Sequence, residues 1–275
     1  MSQQDFQGRV VVITGAGSGI GRALAQQFAA AGARLALSDI NQAGLDETLA
    51  LLPSAVEARA YKLDVSSREA VFAHADEVKR DFGAAHVLIN NAGASIVGTI
   101  AHTSIEEFEW QLGINLWGVI YGTKAFLPMM LAQRDGCIVN ISSVFGLIGF
   151  PLQGAYNISK FGVRGFTECL WTELEGTGVR AVSVHPGGIK TNIARNARMN
   201  DSVSALTGKS NEANTKAFEK QFRTTPDVAA KTILKGVRCN KRRVLIGGDA
   251  WFLDKMVRLF PTAYQRVVVA SMKML

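Results

Sequence analysis

Tyr156 and Lys160 are residues whose types and spacing suggest chemistry. They lie four residues apart in the segment YNISK, and on a helix side chains at this spacing share one face. A free phenol ionises near pH ~10 and is a poor base at neutral pH, but a neighbouring ammonium favours the phenolate and lowers its pKa. The pair is therefore a candidate for proton transfer. An exposed helix surface is the alternative for this spacing taken alone.

A glycine-rich segment near the amino terminus is the second chemical signal. TGAGSGIG, residues 14–21, follows a β-branched run and precedes a helical pattern over residues 20–31. Glycines let the backbone turn tightly and approach a pyrophosphate, and the amino terminus of a helix favours its negative charge. The order of strand, glycines and helix indicates a dinucleotide-binding loop.

Asp39, at the end of the next strand-like run, bears on the choice of dinucleotide. A carboxylate there can accept hydrogen bonds from both adenosine ribose hydroxyls and would repel a 2′-phosphate. Neither Ser18 nor Ile40 offers a cation for that phosphate. The sequence therefore predicts NAD rather than NADP, unless Asp39 merely caps a turn.

The elements that must position these residues alternate between strand and helix. Helix-length amphipathic segments separate seven strand candidates, which are residues 10–14, 34–39, 58–65, 86–93, 136–143, 179–187 and 242–248. This alternation predicts βαβ units with right-handed crossovers and a doubly wound parallel sheet, an α/β fold. Such a sheet binds ligands at the carboxyl ends of its strands, which is where the sequence places its glycine loop and its unusual polar residues.

Composition and charge limit the other classes of function. A chain of 275 residues, 48% of them hydrophobic, suits one large domain, and its net charge of +7 comes without a nucleic-acid-binding motif. The three cysteines and four histidines have no metal-ligand or disulfide spacing, and no secretory signal begins the chain. We therefore expect no metal, no nucleic-acid partner and a cytoplasmic location. Residues 136–159 are uncharged but too polar to span a membrane.

Together these motifs resemble the short-chain dehydrogenase/reductase family over about residues 8–248. The resemblance lies in the TGxxxGIG loop, NNAG at 90–93, Ser143 thirteen residues before the tyrosine, YxxxK, and a Pro-Gly followed by Thr191. It implies a single Rossmann domain that works as a homo-oligomer, a dimer or tetramer. The implied activity is hydride transfer between NAD and a small-molecule substrate, a secondary alcohol or ketone.

The resemblance also implies roles for the catalytic residues. Tyr156 would be the general acid and base, Lys160 would hold the nicotinamide ribose, and Ser143 would hydrogen-bond the substrate oxygen. Ser142 is an adjacent rival, but the thirteen-residue spacing favours Ser143. Asn115, in GINLWG, matches an asparagine that holds a water between the lysine and bulk solvent. Its alternative role is that of an ordinary buried amide bonded to backbone.

The cofactor-binding residues follow from the same resemblance. Asp64 and Val65 would face the adenine, residues 91–93 would line the cleft, and Ile189 and Thr191 would contact the nicotinamide amide. The full expected set is Gly15, Ser18, Gly19, Ile20, Gly21, Asp39, Asp64, Val65, Asn91, Ala92, Gly93, Tyr156, Lys160, Ile189 and Thr191.

Three segments are candidates for substrate binding: residues 94–97, 144–152 and 192–224. The last, here called the lid, is long and polar with scattered apolar residues that could close over a ligand or simply anchor it to the core. We expect a lipophilic substrate. A polyol, sugar or acyl thioester is the alternative, and a nucleotide-binding scaffold without turnover is another.

Residues 249–275, here called the C-terminal extension, follow the oxidoreductase domain of residues 1–248. Basic residues interleave with apolar ones, which would suit an anionic membrane surface. Pro261 divides the extension, however, and its amphipathic pattern is broken. Packing as helices on the same domain or on a partner subunit is therefore the favoured prediction.

Overall fold

A seven-stranded parallel sheet forms the centre of the computed structural model, which describes residues 6–272. Its strands are β1 (Val10–Thr14), β2 (Arg34–Asp39), β3 (Ala58–Lys62), β4 (Val87–Asn90), β6 (Gly136–Ile141), β7 (Val179–Pro186) and β9 (Arg243–Ile246). They lie in the order β3-β2-β1-β4-β6-β7-β9, and every neighbouring pair is parallel. β5 (Ile96–Val97) and β8 (Arg198–Met199) form a separate two-stranded sheet. The predicted doubly wound sheet is confirmed.

Helices cover both faces of this sheet. They are α1 (Gly19–Ala30), α2 (Gln42–Ala50), α3 (Arg68–Phe82), α4 (Ile105–Leu112), α5 (Gly118–Ala132), α6 (Gly154–Glu173), α7 (Asp201–Thr207), α8 (Asn211–Glu219), α9 (Pro226–Arg238), α10 (Gly248–Leu259) and α11 (Tyr264–Met272). A π-helical turn, Gly113–Trp117, joins α4 to α5, and a 3₁₀ turn, Val144–Gly146, precedes α6. None of the helices in this described region is long and apolar enough to cross a membrane.

The β-branched strands separate two apolar layers. Val11 and Ile13 of β1 belong to one buried cluster together with residues of α1 and α9. Val10 and Val12 belong to a second cluster together with residues of α3, α5 and α6. Successive side chains on a strand point to opposite faces, so a continuous apolar run is what a sheet buried on both sides requires.

Five strands are shorter than the sequence predicts, and the difference is largest at the carboxyl ends of β3 and β4. β3 ends at Lys62 and β4 at Asn90, so the expected ranges 58–65 and 86–93 are too long at their carboxyl ends. Leu63 and Val65 continue the apolar character of β3, but after both strands the chain leaves the sheet to form the loops that carry Asp64 and residues 91–93. The strands stop where the candidate site begins.

The C-terminal extension forms two helices separated at Pro261 and packs back on the domain. Met256, Tyr264 and Val268 share a buried cluster with Leu147 and Ile148 from the segment after β6. Tyr264 also accepts a hydrogen bond at Oη from the Gly149 amide at 3.3 Å.

A buried ion pair anchors the first helix of this extension. Asp254 of α10 is 7% exposed and accepts hydrogen bonds from Arg243 of β9 at 2.5 and 3.1 Å. Arg258, one turn further along α10, donates to the same carboxylate at 3.1 Å. Because Arg243 belongs to the edge strand β9, the pair fixes α10 against the sheet.

Candidate active site

A cleft of about 2340 Å³ opens at the carboxyl ends of the central strands. The predicted residues that line it are Gly15, Ser18, Gly19, Ile20, Asp39, Asp64, Val65, Asn91, Ala92, Gly93, Ser143, Tyr156, Lys160, Ile189 and Thr191. Residues from the carboxyl ends of six strands and from helix α6 thus meet in one cleft, as expected for a parallel sheet.

The glycine loop is held tightly against the loop after β4. Gly15 has φ +67°, and a Cβ built there would lie 2.8 Å from the Ala92 Cα, so this position needs glycine. Thr14 Oγ1 accepts hydrogen bonds from the amides of Asn91 and Ala92, both at 3.0 Å. Asn91 Nδ2 donates to the Thr14 carbonyl at 2.9 Å. The hydrogen bonds therefore hold the glycine loop and the NNAG segment, residues 90–93, in fixed positions relative to each other.

The start of α1 has the features of a phosphate site. Ser18 is its N-cap but makes no side-chain capping bond, and the first turn holds no acidic residue. The first amides of a helix have no intrahelical partner and carry a partial positive charge, so they favour an anion. With the close-packed glycines beside them, these amides fit the pyrophosphate of a dinucleotide.

Asp39 lies beside this loop at the end of β2. Its Oδ2 accepts a hydrogen bond from the Gly17 amide at 2.9 Å, and its Oδ1 accepts one from the Asn41 amide at 2.9 Å. The carboxylate is thereby fixed at the edge of the cleft, where a ribose could share it. The guanidinium of Arg22, on α1, is engaged by Glu47 at 2.6 Å and by Thr48 at 3.0 Å.

Two predicted residues do not line the cleft. Gly21 is buried, and a Cβ there would collide with the Gly15 carbonyl, so it serves the close packing of α1 on the loop. Asn115 is fully buried in the π-helical turn and bonds both backbone polar groups of Ala94 at 2.9 Å. Its Nδ2 also lies 3.4 Å from Ser159 Oγ. These bonds match the alternative stated for Asn115, a buried amide bonded to backbone.

The candidate catalytic side chains come from α6 and from the end of β6. Lys160 is 4% exposed and donates a hydrogen bond from Nζ to the Ile141 carbonyl at 2.9 Å. Its Nζ lies 5.5 Å from the centroid of the Tyr156 ring. Ser142 Oγ donates to the Lys160 carbonyl at 2.8 Å, whereas the Ser143 side chain hydrogen-bonds Tyr156. The geometry thus brings Ser143, rather than Ser142, to the tyrosine.

The electrostatics of this group differ from the prediction. Burial raises the pKa of Tyr156 to about 12, although the hydrogen bond from Ser143 acts in the opposite direction. Burial also lowers the pKa of Lys160 to about 8. The expectation that the ammonium lowers the pKa of Tyr156 is therefore wrong for the protein alone, because removal of both groups from water disfavours both charged forms.

His185 is a contributor that the sequence did not indicate. Its Nδ1 lies 3.1 Å from the Ser143 carbonyl and its Nε2 lies 3.0 Å from Ser183 Oγ. A carbonyl can only accept, so Nδ1 carries the proton and Nε2 accepts from the serine. Burial lowers the pKa of His185 to about 4, which keeps the ring neutral in this arrangement. The ring fixes the backbone of the candidate catalytic serine.

An aromatic wall extends from Tyr156 into the lid. The Phe145 ring lies edge-on to Tyr156 with 6.1 Å between centroids and stacks on Phe150 at 4.9 Å. Phe218 of α8 approaches Phe145 at 6.5 Å, and Phe222 packs on Phe218 at 5.2 Å. Met256 and Val268 of the C-terminal extension line the same cleft. The surface beside the candidate catalytic group is therefore largely apolar.

The two halves of the lid are attached differently. In the first half, β8 pairs with β5, the Thr99 amide donates to Ser202 Oγ at 3.2 Å, and Arg198 stacks over Trp110 at 3.6 Å. In the second half, α8 has no buried residue, and it lines the cleft with Asn214, Thr215, Ala217 and Phe218. The sequence predicted the lid as a polar segment but not this division.

The fold and site together define a nucleotide-binding α/β oxidoreductase. Residues 9–202 match the family described as short chain dehydrogenase. The chain is 45% identical over 270 residues to the "Putative oxidoreductase SadH" of Mycobacterium tuberculosis, across 97% of this chain and 96% of that protein. It is 35% identical over 277 residues to dehydrogenase/reductase SDR family member 7B of Xenopus tropicalis, across 98% and 87%.

Structural similarity agrees with these sequence matches. A crystal structure of a short-chain dehydrogenase/reductase from Burkholderia phymatum in complex with NAD aligns with a TM-score of 0.83 and 31% identity, across 93% of this chain and 94% of that one. The chain belongs to the short-chain dehydrogenase/reductase family of oxidoreductases, and its cofactor is a nicotinamide dinucleotide.

Proposed function

We propose that the protein transfers a hydride between NAD(H) and a lipophilic secondary alcohol or ketone. The observation that carries this proposal is the grouping of Ser143, Tyr156 and Lys160 in the same cleft as the glycine loop. The dinucleotide supplies the hydride acceptor or donor when it is bound. The protein must then bind the substrate oxygen and move one proton.

Tyr156 is the proposed general acid and base. With its pKa raised to about 12 it holds its proton at neutral pH, as donation to a ketone oxygen requires. In the direction of alcohol oxidation the phenol must lose this proton first, and the hydrogen bond from Ser143 favours that loss. The hydroxyl of Ser143 would donate to the substrate oxygen and stabilise its developing negative charge.

NAD is the proposed form of the dinucleotide. Support comes from the Asp39 carboxylate, which is held beside the glycine loop by the Gly17 amide and would repel a 2′-phosphate, and from Arg22, which is already engaged by Glu47 and Thr48. Ile40 is 64% exposed at the rim and carries no charge. These features support NAD because a phosphate there would meet the Asp39 anion.

The remaining site roles are proposals of the same kind. We assign Asp64 and Val65 to the adenine and Ile189 and Thr191 to the nicotinamide amide, on the support that all four line the cleft. For Asn115 the water-holding role stays a proposal, since its side chain is engaged by Ala94.

We also propose a cytoplasmic homo-oligomer, a dimer or tetramer, with residues 1–248 as the oxidoreductase domain. Exposed apolar side chains on α5 and α6 support assembly: Trp117 beside α5 is 49% exposed, and Ile158 of α6 is 51% exposed. Burying such side chains in a subunit interface would remove apolar area from water.

A substrate panel with each dinucleotide tests the proposal. Secondary alcohols and ketones of increasing apolar size should turn over with NAD(H), followed by nicotinamide absorbance, and larger apolar groups should lower KM. The same panel includes polyols, sugars and acyl thioesters, which are the alternative substrate classes. Turnover confined to these compounds would overturn the assignment of a lipophilic substrate. Dinucleotide binding with no turnover of any class would favour a non-catalytic scaffold.

A further inference from the structure

The backbone of Gly188 joins three separate parts of the molecule. Its amide donates to Asp249 Oδ2 of α10 at 2.7 Å. Its carbonyl accepts from the amides of Arg223 and Thr224, at the end of the lid, at 3.1 and 3.2 Å. Gly188 itself belongs to the segment after β7 that leads to Ile189 and Thr191. The C-terminal extension, the lid and the cofactor cleft thus meet at one residue.

Two consecutive glycines make this segment dependent on contacts from outside it. Neither Gly187 nor Gly188 has a side chain, and glycine loses more conformational freedom on folding than any other residue. A Cβ on Gly187 would collide with the Asp249 carboxylate, and one on Gly188 would lie 2.9 Å from the Gln221 carbonyl. The glycines therefore allow the extension and the lid to close in around the segment.

Asp249 is the residue of the C-terminal extension whose side chain accepts the hydrogen bond from the Gly188 amide. It lies in the first turn of α10, whose N-cap Gly247 makes no side-chain capping bond, yet its Oδ2 accepts from Gly188. A hydrogen bond to a carboxylate is about twice as strong as one between neutral groups. The position at a helix amino terminus further favours the negative charge.

We propose that Asp249 is a positioning residue that holds residues 187–189 in the conformation needed to bind the dinucleotide, and so links the C-terminal extension to the cofactor and the lid. This inference rests on the proposed function for the placement of the nicotinamide end of the dinucleotide. The hydrogen bonds themselves are independent of that function.

Hydrogen exchange and dinucleotide binding test the inference without turnover. In Asp249→Ala the Gly188 amide loses its acceptor, so amide exchange in residues 187–191 should become at least about tenfold faster, and the Kd for NAD should rise about tenfold. Asp249→Asn keeps an oxygen acceptor of the same shape and should restore most of both properties. Glu106→Ala removes an exposed first-turn carboxylate of α4, away from the cleft, and should change neither.

The outcomes separate this inference from the proposed function. Unchanged exchange and unchanged Kd in Asp249→Ala would overturn the role of Asp249, as would faster exchange without weaker NAD binding. If Asp249→Ala unfolds, the folded Asp249→Asn variant is compared with the unmodified protein, and a Kd for NAD raised about tenfold with unchanged exchange in residues 187–191 would overturn the inference. If the unmodified protein binds neither NAD nor NADP, the proposed function fails, whereas the exchange measurement still decides whether Asp249 anchors the segment.

Discussion

Replacing Lys160 by methionine should stabilise the folded protein at neutral pH while it abolishes turnover. Lys160 is 4% exposed, and burial lowers its pKa from 10.5 to about 8. Methionine has a similar length and no charge, so the folded variant avoids the cost of removing an ammonium from water. A buried charge that is needed for activity lowers the free energy of unfolding, so removing it can stabilise the protein while it abolishes activity.

The magnitude follows from the pKa change. At neutral pH Lys160 is protonated in both the folded and the unfolded chain. The folded state is therefore destabilised by the whole free energy that corresponds to the difference between the two pKa values. A drop from 10.5 to about 8 corresponds to about 3 kcal/mol. The variant also leaves the Ile141 carbonyl without its donor, which offsets about 1–2 kcal/mol. We expect a net gain of about 1–2 kcal/mol, or roughly 2–6 °C in Tm.

The pH dependence provides the control. Because the folded pKa is depressed, the folded protein binds fewer protons than the unfolded chain between about pH 8 and pH 10.5. The stability of the unmodified protein therefore rises by about 3 kcal/mol relative to the variant across that window, so the variant's advantage of about 1–2 kcal/mol should vanish within the window and reverse by pH 10.5. Urea unfolding of both proteins without cofactor at about pH 7, 9 and 10.5 measures this. A variant that is less stable at neutral pH, or a gap independent of pH, would refute the reasoning.

Three other changes test separate parts of the structure. Asp39→Ala combined with Ile40→Arg should weaken NAD binding and admit NADP, because a cation replaces a repulsive carboxylate. Titration with both dinucleotides measures the exchange, and an unmodified protein that already prefers NADP would disprove it. Asp254→Ala should lower the free energy of unfolding by about 2–3 kcal/mol, because it leaves the part-buried Arg243 unpaired. Burial raises the pKa of Asp254, but hydrogen bonds from Arg243 and Arg258 outweigh it and hold the pKa below its usual value. This stabilisation is therefore present above the ordinary carboxyl pKa of about 4 and is lost as the pH falls through the lower folded value. Urea unfolding against pH measures it, with the exposed pair of Asp227 and Lys231 as the control, and equal effects of Asp254→Ala and Asp227→Ala would argue against it. Truncation after Gly248 should expose apolar area around Ile148, lowering Tm or changing the oligomeric state seen by light scattering, while the intact protein sediments only weakly with vesicles. An equally stable, unchanged oligomer that loses strong vesicle binding on truncation would contradict this.

The parts of the fold that could be predicted are those governed by local patterns. The continuous β-branched run of Val10–Thr14 indicates a strand buried on both faces wherever it occurs in a chain. The glycine loop, Asp39 and the YxxxK pair carry their spacing in the sequence, and the structure brings them into one cleft. Pro261 separates two helices because proline lacks an amide donor and restricts the residue before it.

The parts that could not be predicted depend on contacts between distant segments. The raised pKa of Tyr156 comes from burial, which its neighbours in the sequence do not reveal. The hydrogen bonds from His185 to the Ser143 carbonyl and from the Gly188 amide to Asp249 span 42 and 61 residues. The pairing of β5 with β8 joins two-residue strands that have no periodicity of their own. Such contacts are set by tertiary packing rather than by local propensity.

The comparison of Tyr156→Phe with the unmodified protein tests the proposed chemistry most directly. The phenyl ring keeps the packing on Phe145 but has no proton to give or take. We expect a folded variant with the same Kd for NAD and a kcat that is lower by about 10²–10⁴ or more on the best substrate of the panel. Turnover close to normal in the folded variant would show that another group moves the proton, and would contradict the assignment of Tyr156.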